Sequence, residues 1–158
     1  MMGHKTIDQW FEEYSESHQN PVNKLIHWVC VPGIFLAIIA LLWTIPLPAA
    51  MAEIPYLNWA TLAMIIPGVF YFRLSPKLFI GLALFILACV FAINWYVQAN
   101  IASLLWTAVI SFIVLWIFQF IGHHIEGKKP SFFKDIQFLL IGPAWVIGFI
   151  YRKLGLSY

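Results

Sequence analysis

From Leu25 to Ile121 the chain is written almost entirely in apolar residues, and the polar or proline-marked breaks between them are short. Four runs stand out: about Leu25 to Ile45, Leu57 to Phe72, Leu78 to Val97 and Ile101 to Ile121. A membrane-crossing helix needs about 20 predominantly apolar residues, so each run predicts a transmembrane helix. The second is short and holds Pro67-Gly68, which predicts a kink or tilt that neighbouring helices must accommodate by satisfying the freed carbonyl. Pro46, Pro48 and Pro55 mark the first link, Ser75-Pro76 the second, and Gln98-Ala99-Asn100 a tight third. The pattern predicts an all-α integral membrane protein with four transmembrane helices in helical hairpins.

The flanks carry different patterns. From Ile7 to Ser17, Ile7, Trp10, Phe11 and Tyr14 recur at three-to-four spacing while Glu12, Glu13 and Glu16 fall elsewhere, which predicts an N-terminal amphipathic helix on the membrane surface. Asn20 followed by Pro21 is an N-cap and first-turn signal for the first spanning helix. A fifth apolar stretch, Ile136 to Ile150, is shorter than a span and interrupted by Gly142-Pro143; it predicts an interfacial or re-entrant helix pair. The organisation expected is one membrane domain over 1–158: an amphipathic segment at 1–20, a four-helix core at 25–121, and a histidine motif with the re-entrant segment at 122–158.

Composition agrees with this setting. The chain is 62% hydrophobic and 10% charged, with a mean hydropathy of +0.84; soluble domains hold about 25% charged residues. A net charge of +2 without a basic run excludes nucleic-acid binding. Cys30 and Cys89 both lie in apolar runs and form no disulfide framework or CxxC pattern. The segment before the first run carries Asp8, Glu12, Glu13 and Glu16, the wrong charge for a cleaved signal peptide.

Lysine and arginine alternate without exception. Lys5 and Lys24 precede the first helix, Arg73 and Lys77 occupy the second link, Lys128, Lys129 and Lys134 follow the fourth helix, and Arg152 and Lys153 end the chain. The first and third links have none. The positive-inside rule therefore places both termini in the cytoplasm, in a bacterial inner membrane or, in a eukaryote, the endoplasmic reticulum. Trp28, Trp43, Trp59, Trp95, Tyr96 and Trp106 fit interfacial belts.

That topology gives the histidines meaning. His4, His18 and His27 come before or at the start of the first span, and His123 and His124 end the fourth, so all five fall on one membrane side. Asn23 shares a helix face with His27, and Gln119, His123 and Glu126 share another at spacings of four and three. A carboxylate and a histidine three apart on one helix are how carboxylate-metal bundles present two ligands. Each residue also has a plainer reading: His27 as an interfacial histidine bonded to a carbonyl, His123 and Glu126 as a helix-end polar cap, His18 as a surface residue before a turn. The combination predicts a metal site. Imidazoles and a carboxylate without thiolates suit iron(II), manganese or zinc; a bis-histidine haem, making the protein an electron carrier, and a non-enzymatic lipid-binding or partner-stabilising role stay open.

At these residues the chain resembles a known family. HQNPVNKLIHWVCVP and, at the end of the last long run, QFIGHHIEGKKPSF resemble the fungal 2-hydroxy fatty acid dioxygenase and its bacterial homologues, over essentially the whole chain. The resemblance implies an iron(II)-dependent membrane oxygenase that removes one carbon from 2-hydroxy fatty acids, with the fatty acid, dioxygen and the bilayer as partners and a homo-oligomer compatible with the pattern. It implies His18, His27 and His123 as metal ligands, with His124 a further candidate. It also implies catalytic roles for Glu126 and Asn23, and Lys128 or Lys129 is available to pair with the anionic headgroup of the substrate.

Overall fold

The computed structural model describes residues 5–127 and 132–158, and among them the only regular elements are helices. α1 spans Ile7–Ser15, α2 Pro21–Trp43, α3 Ala49–Ala52, α4 Trp59–Ala63, α5 Ile65–Leu74, α6 Pro76–Gln98, α7 Leu104–Glu126 and α8 Phe132–Lys153. Three of them, α2, α6 and α7, are 23 residues each and apolar enough to cross a membrane. At about 1.5 Å per residue each exceeds the roughly 30 Å hydrocarbon thickness.

Local chemistry sets the ends of these helices. Asn20 Oδ1 accepts from the Val22 N–H at 2.9 Å with Pro21 in the first turn of α2. Ser75 Oγ does the same for Leu78 at 3.2 Å, with Pro76 opening α6. In α1, Thr6 and Gln9 exchange reciprocal caps at 3.3 and 2.9 Å. Gly127, at φ 72°, stops α7 in the left-handed conformation that glycine adopts without steric penalty.

Two elements differ from the sequence expectation. The second apolar run is divided at Met64 into α4 and α5, three residues ahead of Pro67. The proline ring collides with the carbonyl four residues back, that of Ala63, so the break falls before the Pro-Gly pair; the Gly68 N–H resumes the ladder on Met64 O at 3.0 Å. The fifth stretch is a single helix running through Gly142-Pro143 instead of a pair. There α8 lies against protein: Tyr71 on α5 donates its hydroxyl proton to the Leu140 carbonyl, and Gly142 sits so close to α2 that a Cβ would lie 2.7 Å from the Val31 side chain. Neighbouring side chains stabilise the proline-interrupted turn, as they do in membrane helices.

Packing separates into two clusters. Ile7, Phe11 and Tyr14 of α1 bury against Ile141, Ala144 and Trp145 of α8, together with Tyr71, Leu78 and Leu82. The apolar face of α1 thus docks on α8. Farther along the long helices, Phe35, Ile39 and Ala40 of α2 meet Ala60, Cys89, Ile93 and Ala108. Both cysteines are buried and unlinked. Leu84, Leu87, Phe91, Ile110 and Ile117 remain exposed on the outer faces of α6 and α7, as expected of helices whose solvent is lipid.

Candidate metal centre

α2 and α7 are the most extensively paired helices and run antiparallel, so the first turns of α2 meet the last turns of α7. This brings His27, two turns into α2, against His123, near the end of α7. The α1–α2 connection then folds His18 over both. Ring centroids are 4.2 Å apart for His18 and His27, 4.9 Å for His27 and His123, and 5.5 Å for His18 and His123. One ligand nitrogen from each lies within 4.8 Å of the others, and all three residues are buried.

Hydrogen bonds decide which nitrogens face inward. His18 Nδ1 lies 2.6 Å from the Tyr14 carbonyl and His27 Nδ1 3.0 Å from the Asn23 carbonyl, each on the residue four positions back. A carbonyl only accepts, so Nδ1 carries the proton in both rings and Nε2 presents its lone pair. His18 Nε2 is buried without a hydrogen-bond partner among the described residues. An imidazole held by a carbonyl on one nitrogen and bare on the other is the arrangement of a metal-ligating histidine. The donor set fits a transition metal ion; divalent ions bind imidazole nitrogens at about 2.1 Å.

The acidic and amide residues surround this triad. Glu126 accepts from the Gln19 N–H at 2.8 Å, the Asn20 N–H at 2.9 Å and Asn23 Nδ2 at 3.0 Å. Its carboxylate therefore ties the end of α7 to the turn that carries His18. Asn23, fully buried, also donates to the Ser17 carbonyl at 3.0 Å, so one side chain spans the connection, α2 and α7. His124 is exposed and outside the triad. His4, Lys128 and Lys129 lie outside the described residues.

Three contributors were not singled out in the sequence. Tyr14 stacks on His18 at 4.1 Å and 7°, and Trp145, whose indole N–H donates to Ser15 Oγ at 3.1 Å, lies 6.0 Å from the same ring. The signal for Tyr14 was its position four residues before His18. Gly122 is the third: a Cβ there would meet Asn23 Oδ1 at 2.4 Å and His27 Cε1 at 3.4 Å, so only glycine lets α7 approach α2 this closely.

Burial pushes the His18 imidazole down from 6.5 to about 4, the Tyr14 carbonyl opposing this only in part. Metal-free protein thus keeps His18 neutral down to about pH 4, while the unfolded chain protonates near 6.5. The stability this neutrality provides is complete above about 6.5 and is lost as pH falls toward 4, by roughly 3 kcal/mol. Denaturant unfolding of chelator-treated protein across this range should show the decline, and His18→Phe should make it shallower; an unchanged slope would contradict the burial of a neutral ring.

The fold and this cluster define an all-helical membrane protein with a buried triad of histidines able to hold a metal ion. The chain belongs to the family described as 2-hydroxy-palmitic acid dioxygenase Mpo1-like, whose model matches residues 4–154. No curated protein and no solved structure was found to match it.

Proposed function

We propose that this protein is an iron(II)-dependent dioxygenase that shortens 2-hydroxy fatty acids by one carbon. The observation that carries it is the buried triad of imidazoles, two of them fixed as Nε2 donors, in a chain whose family description names a dioxygenase of a 2-hydroxy acid. His18, His27 and His123 would hold the ion, and bound iron(II) would supply positions where dioxygen and a chelating substrate meet. Among the described residues no carboxylate groups with the triad, and Glu126 accepts three N–H donors, which supports a positioning role for it. Three neutral ligands leave the charge of a divalent ion uncompensated, which favours a substrate binding through a carboxylate and its neighbouring hydroxyl.

Glu126 and Asn23 serve as positioning residues that fix the His18 turn over α7. Tyr14 and Trp145 cover the His18 ring and exclude water from it. His124 stays a candidate for an outer role, and Lys128 for pairing the substrate carboxylate. Cleavage between the first and second carbons with one dioxygen balances as the shortened acid, carbon dioxide and water.

In the membrane, α4 and α5 together form the second of four crossings, giving helical hairpins with both termini and the triad on the cytoplasmic side, in one domain. Lysine and arginine alternation supports that orientation. A haem carrier is disfavoured by geometry: two imidazoles must clear a macrocycle between them, and here His123 packs against both His18 and His27.

Protein purified anaerobically should contain about one non-haem iron per chain and no Soret band. It should consume oxygen with 2-hydroxypalmitate, releasing pentadecanoate, and not with palmitate. Iron-loaded protein inert toward the hydroxy acid would overturn the assignment.

A further inference from the structure

Beside the triad, α2 and α8 diverge into a cleft of 490 Å³. Such a volume falls within the roughly 300–1,000 Å³ of small-molecule sites. Lys24, Leu25 and Trp28 come from α2, and Trp145, Phe149 and Arg152 from α8. On α8 these are spaced by four and three, a single stripe of the helix. Trp28 and Phe149 meet edge to face at 4.1 Å, giving the cleft an aromatic wall. Trp145 belongs to this wall and also approaches the His18 ring, so the cleft adjoins the triad.

Among the described residues the two cations have no acidic partner. Arg152 donates to the Tyr158 hydroxyl at 2.5 Å, and neither it nor Lys24 pairs with a carboxylate of a described residue. Two positive groups over a mostly hydrocarbon surface are complementary to an anion carrying an alkyl chain. A zwitterionic lipid headgroup would leave that charge unbalanced, and a simple inorganic anion would leave the aromatic surface uncovered.

We propose that this cleft binds the carboxylate of a long-chain fatty acid, with Lys24 and Arg152 holding the headgroup and Trp28, Trp145 and Phe149 contacting the first methylenes. It would take up the acid from the bilayer next to the histidine triad. Its role as a route to that triad rests on the dioxygenase reading, whereas binding itself does not.

The test uses full-length protein in phosphatidylcholine nanodiscs at mildly alkaline pH, with quenching of tryptophan fluorescence by 9,10-dibromostearate as the readout. Wild type should saturate. Lys24→Gln and Arg152→Gln should each weaken half-saturation by about tenfold, the loss of one charge-assisted contact. Lys24→Arg should keep binding, which separates loss of charge from misfolding. Dibromostearyl alcohol should bind weakly.

Equal affinity for acid and alcohol, or an unaltered Lys24→Gln, Arg152→Gln double variant, would overturn the proposal. So would phosphatidylglycerol displacing the acid at lower concentration than palmitate. Saturable acid binding in protein that shows no iron or turnover would leave the cleft standing and remove only the dioxygenase reading.

Discussion

His27→Ala should abolish oxygen consumption and lower metal affinity by well over the 10–100-fold typical of losing a partner that merely orients a ligand. The ring sits at the centre of the cluster, against both His18 and His123, with its Nδ1 fixed by the Asn23 carbonyl. Removing it deletes one donor of three and empties a buried, packed position, which lowers stability as well. Metal analysis after dialysis against a defined free-iron buffer measures the first effect, and a thermal melt the second. His124→Ala supplies the contrast, because that ring is exposed and should keep near-normal metal and activity. A variant pair that behaved the other way round would move the site to the far side of α7.

Glu126→Gln should weaken metal binding about 10–100-fold without changing the ligands themselves. The carboxylate accepts two backbone N–H groups and the Asn23 amide, and a glutamine has one acceptor oxygen and an NH₂ that opposes donors. At least one donor then loses its partner, and because these bonds are partly open to water the loss of stability is about 1 kcal/mol or less. The electronic spectrum of cobalt-saturated protein should match that of wild type, since His18, His27 and His123 are all still present. A shifted ligand-field spectrum at saturation would make Glu126 a direct ligand.

Much of this arrangement was visible in the residue order. Alternating lysine and arginine put His18, His27 and His123 at one end of the apolar runs, and Asn20-Pro21 marked the start of α2 where it is observed. The role of Glu126 was harder to foresee. Its spacing of three from His123 suggests a shared ligand set, but the carboxylate's partners are backbone N–H groups over a hundred positions away, which no local pattern encodes. The same holds for α8. Gly142-Pro143 reads as a break, yet the helix continues because Tyr71 and Val31, distant in sequence, fit around it. Conversely Pro67 disrupted its own run as local sterics require, only earlier than the proline itself.

The triad joins residues from opposite ends of the chain. His18 and His27 are held by one connection, whereas His123 arrives only at the close of α7, after the intervening helices. Closing so long a segment carries an entropic penalty that grows with the logarithm of its length. Metal binding would select chains in which that closure has occurred, and a ligand at a thousand times its dissociation constant adds about 4 kcal/mol to the stability of the form that binds it. The ion would therefore act as a clasp between α2 and α7, and a nascent chain could not capture it until α7 had been inserted.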